Sequence, residues 1–352
     1  MLNAYISGVG GYVPPKVVTN DDLAKDYGIE TTHEWIHQRT GIEARRYAEP
    51  GIGSADLGYE AAKAALENAK LSIRDIDMII FATLSPEHLF PGSAVFMQRK
   101  FLELFEGPAA EKDGARYIPC LDIRNQCSGF LYGLQTGASM VRAGTAKHVL
   151  LVGGETHSAA LDFTTRGRTV TSLFGDGAGA VVISGTDDPK RGIRTFALGA
   201  DGRHAEALWM RVFDIRKRPF VTLPDGKDGN ASIPPEMLWP QMEGKVVFRH
   251  AVEKMCMCLM QVCFEQGLSH EDIDLFVFHQ ANMRINQYVA QQLGIPESKL
   301  IHNIHKYGNT TAATIPLLLA EAEATGRLKP GMKIAMVAFG AGFTWGASIA
   351  DW

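Results

Sequence analysis

Cys127 stands in local surroundings that favour covalent chemistry. It lies within the segment Asn125 to Phe130, between an apolar strand pattern and a helix pattern. A thiol at the start of a helix faces free backbone N–H groups and the positive end of the helix dipole, and both favour the thiolate, which is the nucleophile. Gly129 would relieve crowding at so sharp a turn. The alternative is a buried cysteine that packs as a small apolar residue. It fits Cys120 better, because Cys120 lies inside the strand pattern.

A histidine and an asparagine later in the chain could complete a site around this thiol. His279 ends the apolar run Leu275 to Phe278, and the end of a buried strand is where α/β folds place working groups. Asn309 lies in the segment Tyr307 to Ala313, a turn that opens a helix. Taken alone, the histidine could equally be a hydrogen-bonded core residue, and Gly-Asn is only a turn signal. Both become candidates through an internal duplication, in which Asn309 should hold the place in the second half that Cys127 holds in the first.

Together these three side chains suit acyl transfer between thioesters. A cysteine thiolate takes an acyl group from a thioester with little loss of bond energy. An imidazole and a carboxamide N–H can then stabilise the carbonyl oxygen of a second thioester as negative charge develops on it. Loss of carbon dioxide from a malonyl thioester needs that stabilisation, because an enolate forms. The chemistry requires no metal, flavin or nicotinamide, so we expect no cofactor, only coenzyme A thioesters as substrates.

The elements that must position these residues alternate between strand and helix patterns. Runs at 77–83, 148–152 and 178–184 are largely apolar, and the segments 55–68 and 130–142 have helical character. Strands that are apolar on both faces indicate a parallel or mixed sheet that helices cover on both sides.

The second half of the chain repeats the order of the first. The segment 71–81 resembles 268–278, and 147–153 resembles 333–339. Each half then closes with a glycine-rich turn that feeds a strand of small residues. Chance similarity is the alternative, and the matching order of three segments argues against it. We interpret the chain as a tandem duplication of one α/β unit, joined near Asp187-Asp188-Pro189. Residues 1–188 would carry the nucleophilic cysteine, and residues 189–352 the histidine and asparagine.

Composition excludes several classes of protein. The chain of 352 residues is 46% hydrophobic and has a formal net charge of -4, which indicates a large folded core and argues against nucleic-acid binding. Five cysteines without a paired spacing favour a reducing compartment. The N-terminus lacks a signal-peptide pattern, and no apolar run approaches the roughly 18 residues that span a membrane. We expect a soluble, cytoplasmic protein.

Three further patterns are better explained without a ligand. The three cysteines between 256 and 263 share a predicted helix with methionines, and no histidine or further cysteine completes a zinc site. Gly175 to Ala180 resembles a dinucleotide loop, but it precedes a strand and not a helix. The basic run from Arg211 to Arg218 is typical of a solvated loop. A patch for an acidic carrier protein or a phosphate-bearing cofactor is its alternative.

Nearly the whole chain resembles the β-ketoacyl-acyl-carrier-protein synthase III family of the thiolase superfamily. The motifs that match, in the family's order, are Glu34-Trp35-Ile36, Arg39-Thr40-Gly41-Ile42, Cys127-Ser128-Gly129-Phe130, Phe174 to Ala180, Phe278 to Asn282 with Arg284, Tyr307 to Thr310, and Phe339 to Gly346. Several motifs in the right order are specific, whereas any one alone is not. The resemblance implies an α/β, thiolase-like fold, with a duplicated unit, mixed sheets and five layers, α-β-α-β-α.

The resemblance also implies roles for individual residues. It implies a catalytic triad of Cys127, His279 and Asn309, and an oxyanion hole from the backbone N–H groups of Cys127 and Ala341. The other implied contacts are Trp35 and Arg166 on the two sides of the coenzyme A adenine, Arg39 on the nucleotide, Asn282 on pantetheine, Phe339 on the substrate, Gln280 and Arg284 facing the carrier protein, and Phe90 closing the acyl pocket of a neighbouring subunit. That last role implies a homodimer. Ordinary packing for the tryptophan and surface salt bridges for Arg166 and Arg284 are the alternatives.

Departures from the family pattern leave the substrates open. Ala341 stands where many members have glycine, and the stretches 104–116 and 205–240 are longer than in the compact bacterial enzymes. A condensing enzyme would join an acyl group from acyl-coenzyme A to malonyl-acyl-carrier-protein or malonyl-coenzyme A, in fatty-acid initiation or a specialised pathway. The alternatives are an acyltransferase that acts on an alcohol or amine without decarboxylation, and a silent partner subunit, which would not need the triad. A 3-hydroxy-3-methylglutaryl synthase is disfavoured, and Glu155 is the residue to check for it.

Overall fold

The computed structural model describes residues 2–103, 117–212 and 235–352. Its strands are β1 Asn3–Tyr12, β2 Val17–Thr19, β3 Ala44–Arg46, β4 Met78–Ala82, β5 Cys120–Ile123, β6 His148–Glu155, β7 Gly177–Thr186, β8 Gly192–Ala200, β9 Leu208–Trp209, β10 Gln241–Met242, β11 Leu275–Phe278, β12 Lys333–Gly340 and β13 Thr344–Asp351. Its helices are α1 Asn20–Lys25, α2 His33–Thr40, α3 Ser54–Ala69, α4 Ser93–Glu103, α5 Gly129–Arg142, α6 Arg168–Thr171, α7 Pro235–Leu238, α8 Gly244–Glu265, α9 Met283–Leu293, α10 Ile304–Tyr307 and α11 Thr314–Ala324. The stretch 104–116, most of the longer stretch 205–240 and most of the basic run lie outside the described residues.

Two mixed sheets repeat one strand order. The first sheet runs β1-β7-β6-β4-β5, and the second runs β8-β13-β12-β11. In each sheet the first two pairings are antiparallel and the next is parallel. Where the first sheet adds β5, the second has a single parallel bridge between Phe276 and Leu300. The last strand of the first half ends at Thr186, and the first strand of the second begins at Gly192.

Helices α5 and α11 lie between the two sheets. Their apolar side chains, among them Phe130 and Leu134 of α5 and Ile315 and Leu318 of α11, form one core with residues of both sheets. Helix α11 is buried on almost all sides, as its nearly continuous apolar sequence dictates. Helices α3 and α4 cover the outer face of the first sheet, and α8 and α9 cover that of the second. The five layers therefore follow the order α-β-α-β-α.

Matching turns lead into the two central helices. A 3₁₀ turn of residues Gln126–Ser128 precedes α5, and one of residues Thr311–Ala313 precedes α11. The first residue of each turn has a φ of 44°, an uncommon value for residues other than glycine. This match corrects one expectation. Ala312, and not Asn309, holds the place in the second half that Cys127 holds in the first, because the turn and helix start fix the equivalence.

The described helices include none that is long and apolar enough to cross a membrane.

Candidate active site

One cavity of about 820 Å³ brings the three predicted catalytic side chains together. Cys127, His279 and Asn309 all line it. They reach it from the start of α5, the end of β11 and the turn before α11. The two helix starts and the strand end therefore converge, as the sequence predicted.

Cys127 is packed tightly against the end of β12. A side-chain carbon added at Gly340 would lie 2.9 Å from the Cβ of Cys127 and 3.0 Å from its backbone nitrogen, so only glycine fits there. The cysteine itself is buried. Burial raises the pKa of its thiol to about 12, and the negative charge of Glu155 adds to this rise. The resting side chain is therefore a neutral thiol.

Two backbone N–H groups oppose that rise. Those of Cys127 and Ala341 interact with the sulfur and lower the pKa of the thiol. Ala341 directly follows the last residue of β12, so the sheet fixes the second donor. These are the two groups that the family resemblance implied as an oxyanion hole. Their position allows them to stabilise negative charge on an atom at this point of the cavity.

His279 is a buried, neutral imidazole with one hydrogen-bonded nitrogen. Its Nδ1 lies 2.6 Å from the Thr314 hydroxyl, whereas its Nε2 has no hydrogen-bond partner among the described residues. Burial lowers the pKa of His279 to about 3, so the ring is uncharged near neutral pH. The side chain follows β11, whose four residues are all buried. This strand holds the ring at one edge of the cavity.

Asn309 has a defined amide orientation. Its Oδ1 accepts a hydrogen bond of 2.8 Å from the backbone N–H of Thr311. The assigned amide therefore leaves its NH₂ group as the donor available to the cavity. The backbone N–H of Asn309 donates to Leu173, and its carbonyl accepts from Gly175, so a neighbouring segment fixes the turn. Imidazole and amide thus both line the cavity.

Glu155 is hydrogen-bonded to Thr311 and does not line the cavity. Its buried carboxylate accepts hydrogen bonds from the hydroxyls of Thr83, Ser85 and Thr311 and from the backbone N–H groups of Leu84 and Ser85. Burial raises the pKa of Glu155 to about 7, against the opposing effect of these donors. The Glu155 carboxylate accepts every one of these hydrogen bonds, and all of the donors belong to the fold itself. The arrangement is unlike a glutamate that would work beside the cysteine in a 3-hydroxy-3-methylglutaryl synthase.

Near Trp35, the structure differs from the prediction for one residue. Trp35 and Arg39 line the cavity, and the Arg39 guanidinium lies 4.4 Å from the indole centroid. Arg168, and not Arg166, is the second arginine at this indole, 4.9 Å from its centroid. Arg166 instead forms a salt bridge of 2.7 Å with Asp162, four residues earlier, which turns its side chain away from the indole.

Comparison with known proteins decides the family. The signature described as 3-oxoacyl-[acyl-carrier-protein (ACP)] synthase III matches residues 121–202, and that of its C terminal matches residues 263–352. The chain is 40% identical, over 351 residues, to a β-ketoacyl-[acyl-carrier-protein] synthase III of Bacillus pumilus, which covers 100% of this chain and 99% of that protein. It belongs to the synthase III family.

Solved structures agree with that assignment. The 3-oxoacyl-[acyl-carrier-protein] synthase III of Aquifex aeolicus superposes with a TM-score of 0.84 at 36% identity, covering 99% of this chain and 100% of that one. A priming β-ketosynthase from the R1128 polyketide biosynthetic pathway gives 0.85 at 30% identity, covering 99% and 96%. The predictions of a thiolase-like fold and of a condensing acyltransferase are thereby confirmed.

In this synthase III chain, a second residue differs from its prediction, and it lies in the segment after β11. Gln280 is fully buried. Its amide donates to the Phe278 carbonyl, and its Oε1 accepts from the backbone of Asn303 and Ile304. It cannot face a carrier protein, because these buried backbone groups occupy its side chain. Arg284, in contrast, is exposed and lines the cavity.

The remaining predicted contacts lie where a substrate could reach them or at the molecular surface. Asn282 lines the cavity, caps α9 through the N–H of Arg284, and donates to the Arg39 carbonyl at 3.1 Å. Phe339 is a buried part of the cavity wall. Phe90 is 81% exposed in the single synthase III chain and is not part of that wall.

Two residues of this site escaped the sequence analysis. Thr314 contacts His279, and Thr311 orients Asn309 while it also binds Glu155. Both lie in the run Asn309 to Thr314, which read as a turn followed by a helix start. Its three threonines were the only available signal, since polar residues are unexpected where a helix enters a buried layer.

Proposed function

We propose that this synthase III joins an acyl group, carried on Cys127, to a malonyl thioester with loss of carbon dioxide. The observation that supports the proposal is the shared cavity, in which a thiol, a neutral imidazole and an oriented carboxamide face the same space. The product is a β-ketoacyl thioester, as the first step of a fatty-acid chain or of a related specialised pathway.

The first half-reaction transfers the acyl group to sulfur. The Cys127 thiol loses its proton as the sulfur attacks the carbonyl of an acyl-coenzyme A, and the departing coenzyme A thiolate receives a proton in exchange. The tetrahedral oxyanion lies against the N–H groups of Cys127 and Ala341. A thiol whose pKa is raised by burial needs this help, because its thiolate is otherwise scarce.

The second half-reaction forms the carbon–carbon bond. The carbonyl oxygen of the malonyl thioester accepts hydrogen bonds from His279 and from the Asn309 amide, and these strengthen as carbon dioxide leaves and an enolate forms. The enolate carbon attacks the acyl group on Cys127, and the sulfur leaves as the thiolate. A neutral imidazole suits this role, because its one N–H can donate a hydrogen bond to this oxygen while the proton stays on the ring. No resident cofactor is required, since the carboxylate of the substrate supplies the electron pair.

The substrates are proposed to enter past the aromatic and basic residues at the mouth. Arg39 and Arg168 lie close to the Trp35 ring, and Arg284 is exposed at the start of α9. A flat aromatic surface between guanidinium groups suits an adenine ring, and the cations suit phosphate groups. The acyl donor is therefore proposed to be a coenzyme A thioester. The malonyl group would arrive on the phosphopantetheine arm of an acyl carrier protein, the carrier in the relatives' names.

The active molecule is proposed to be a homodimer that forms along β5. Among the described strands it pairs only with β4, so within this part of the chain its other edge offers unpaired backbone groups. Large apolar side chains are exposed on and near this side of the first sheet, namely Leu89, Phe90, Tyr117 and Leu121. A partner that covers them would bring Phe90 to the acyl pocket of the other subunit.

Replacement of Cys127 and His279 tests the reaction. Wild type, Cys127→Ser and His279→Ala are incubated with a panel of acyl-coenzyme A donors, and intact mass and carbon dioxide release from malonyl-acyl-carrier-protein are recorded. We expect one acyl adduct on wild type and on His279→Ala, none on Cys127→Ser, and decarboxylation by wild type only. Full labelling of the serine variant would reject the nucleophile. Acyl transfer to an alcohol or amine without carbon dioxide release would favour the alternative acyltransferase.

A further inference from the structure

Glu155 is a buried acidic group to which the proposed reaction gives no role. Its carboxylate accepts hydrogen bonds from three hydroxyl groups and two backbone N–H groups. A carboxyl group that meets donors on both oxygens is satisfied in its ionised form, which opposes the effect of burial. Its negative charge also raises the pKa of the Cys127 thiol and so disfavours the nucleophile. The carboxylate thus hinders the first half-reaction, and its contacts connect it to the second.

One of the three hydroxyl groups belongs to Thr311, which links the carboxylate to Asn309. The Thr311 hydroxyl donates to Oε1 of Glu155, and the Thr311 backbone N–H donates to Oδ1 of Asn309 at 2.8 Å. The hydroxyl has one proton, and this proton is used in the bond to Glu155. Its oxygen can still accept from Nε2 of His157, 3.3 Å away, a neutral imidazole whose pKa burial lowers to about 3. A continuous chain of hydrogen bonds therefore runs from the carboxylate to the amide in the cavity.

The backbone of Thr311 needs a contact of this kind. Its φ is 44°, in the left-handed region, where a β-branched residue is an outlier. Such a conformation persists only when the surroundings impose it. Glu155 is a fixed acceptor, because it is the last residue of β6, an interior strand of the first sheet. If Thr311 relaxed, its N–H would turn away from Oδ1 of Asn309, and the amide would lose its orientation.

We propose that Glu155 is a positioning residue, whose carboxylate holds Thr311 and thereby directs the Asn309 amide at the malonyl thioester oxygen. The proposal rests on the proposed decarboxylative function of the site. Glu155 belongs to the first half of the chain, whereas Thr311 and Asn309 belong to the second. The half that carries the nucleophile thus positions a donor for the other half-reaction. Loss of the contact frees the amide without removing it, so decarboxylation should fall about 10-fold, less than the roughly 10²-fold loss on removal of one oxyanion donor.

Substitutions at both ends of the contact test the proposal. Thr311→Val removes the hydroxyl and keeps the branched shape, whereas Thr311→Ser keeps the hydroxyl. Glu155→Gln keeps the size and replaces one acceptor oxygen by an NH₂ group. Oε2 accepts from Thr83, Leu84 and Ser85, so the oxygen of the glutamine should take that place and its NH₂ group should face Thr311. The double variant, with Glu155→Gln and Thr311→Val together, completes a cycle that measures whether the two residues act as a unit.

Thr83→Val is the matched control. The Thr83 hydroxyl donates to the same carboxylate at 3.1 Å, but to Oε2, and Thr83 does not line the cavity. This variant takes one donor from Glu155 and leaves the contact with Thr311 in place. If Glu155 only stabilised the fold, Thr83→Val and Thr311→Val should have equal effects. The proposal expects a loss of decarboxylation in Thr311→Val alone.

The two half-reactions should respond differently, which a general loss of structure would not produce. Acylation of Cys127 is followed by intact mass, and decarboxylation by carbon dioxide release from malonyl-acyl-carrier-protein, with denaturant unfolding in parallel. We expect Thr311→Val to acylate like wild type and to lose about 10-fold in decarboxylation. Glu155→Gln should also decarboxylate more slowly, yet it should acylate at least as fast as wild type, because the charge that disfavours the thiolate is gone. Thr311→Ser should recover decarboxylation, and the double variant should lose no more than Thr311→Val alone.

The outcomes distinguish this proposal from the proposed function. Decarboxylation at the wild-type rate in Thr311→Val or in Glu155→Gln would overturn the role of Glu155 and leave the reaction intact. An equal loss in Thr83→Val, or a double variant whose loss is the product of the two single losses, would overturn it as well. A wild-type enzyme that is acylated but releases no carbon dioxide would overturn the reaction.

A crystal structure of Thr311→Val gives a readout that does not depend on turnover. We expect residue 311 to leave the left-handed region and the Asn309 amide to lose its contact with the backbone N–H of residue 311. An unchanged turn, with the Asn309 amide in its present place, would show that the hydroxyl contact with Glu155 does not hold it. This result would overturn the positioning role whether or not the enzyme releases carbon dioxide.

Discussion

A single methyl group added at Gly340 should displace the nucleophile. The new carbon of Gly340→Ala would lie 2.9 Å from the Cβ of Cys127, so the two must separate by about 0.5 Å to reach an ordinary contact distance of 3.4 Å. Both sides of this contact are constrained, by the start of α5 and by β12, whose last residue Ala341 directly follows. Since a displacement of 1 Å costs roughly 10²-fold in rate, half of it should slow acylation about 10-fold. Overpacking should also destabilise the fold by about 1–3 kcal/mol.

The assay is the rate of acyl-adduct formation on Cys127, followed by intact mass at a fixed acyl-coenzyme A concentration, with denaturant unfolding in parallel. Gly202→Ala is the matched control, because a side-chain carbon there would have nothing within 4 Å. It should keep both the wild-type rate and the wild-type stability. If folded Gly340→Ala is acylated as fast as wild type, the position of the sulfur against β12 does not limit the reaction, and the reasoning is wrong.

Three further changes have defined outcomes. In steady-state kinetics, Arg168→Ala should raise the KM for the acyl-coenzyme A several-fold, because a cation–π contact is lost. Arg166→Ala should leave this KM within twofold of wild type. Equal effects of the two substitutions would contradict the assignment of Arg168 to the Trp35 ring. Glu155→Gln removes a negative charge that raises the pKa of the Cys127 thiol, so the pH profile of its alkylation by iodoacetamide should move to lower pH; an unchanged profile would show that the charge does not reach the sulfur. The pKa of buried His279 is lowered from 6.5 to about 3, so the unfolded state binds its proton first, and stability should fall as pH drops below about 6.5. His279→Asn should therefore lose about 1.4 kcal/mol less than wild type between pH 7.5 and pH 5.5 in denaturant unfolding, and an equal loss would refute a neutral buried ring.

Much of this arrangement could be predicted because it depends on local pattern. Strands buried on both faces are apolar throughout, and their ends are visible where polar residues begin, as at His279. The start of α5 is visible because a helical pattern follows the glycine after Ser128. These signals placed two of the three site residues at element ends. The repeat of 71–81 at 268–278 then indicated a second sheet like the first, which the strand orders confirm.

The errors arose at residues whose role depends on the orientation of the side chain and not on its position in the sequence. Arg166 and Arg168 are two residues apart in one loop, and only the salt bridge with Asp162 reveals which of them turns away from the indole. Gln280 is polar and follows a strand, so exposure was a reasonable expectation. The partners of its Oε1 are backbone groups more than twenty positions later in the chain, which no local pattern reports.

The duplication also explains why the site is asymmetric. Each half has the same turn with a φ of 44° before its central helix, a strained conformation that costs of order 1–3 kcal/mol and that the packed layers must hold. The first half places Cys127 directly after the residue with this φ, and the second places Ala312 there. The ends of β4 and β11 differ in the opposite sense, because the imidazole is in the second half. Asp77 and Asp274 make the same hydrogen bond to the neighbouring strand, which aligns Ala82 with His279. One half thus supplies the nucleophile without an imidazole, and the other supplies the imidazole without a nucleophile. The proposed reaction then needs both halves at one cavity. The first half holds the acyl group on Cys127, the second holds the enolate through His279 and Asn309, and the two must meet.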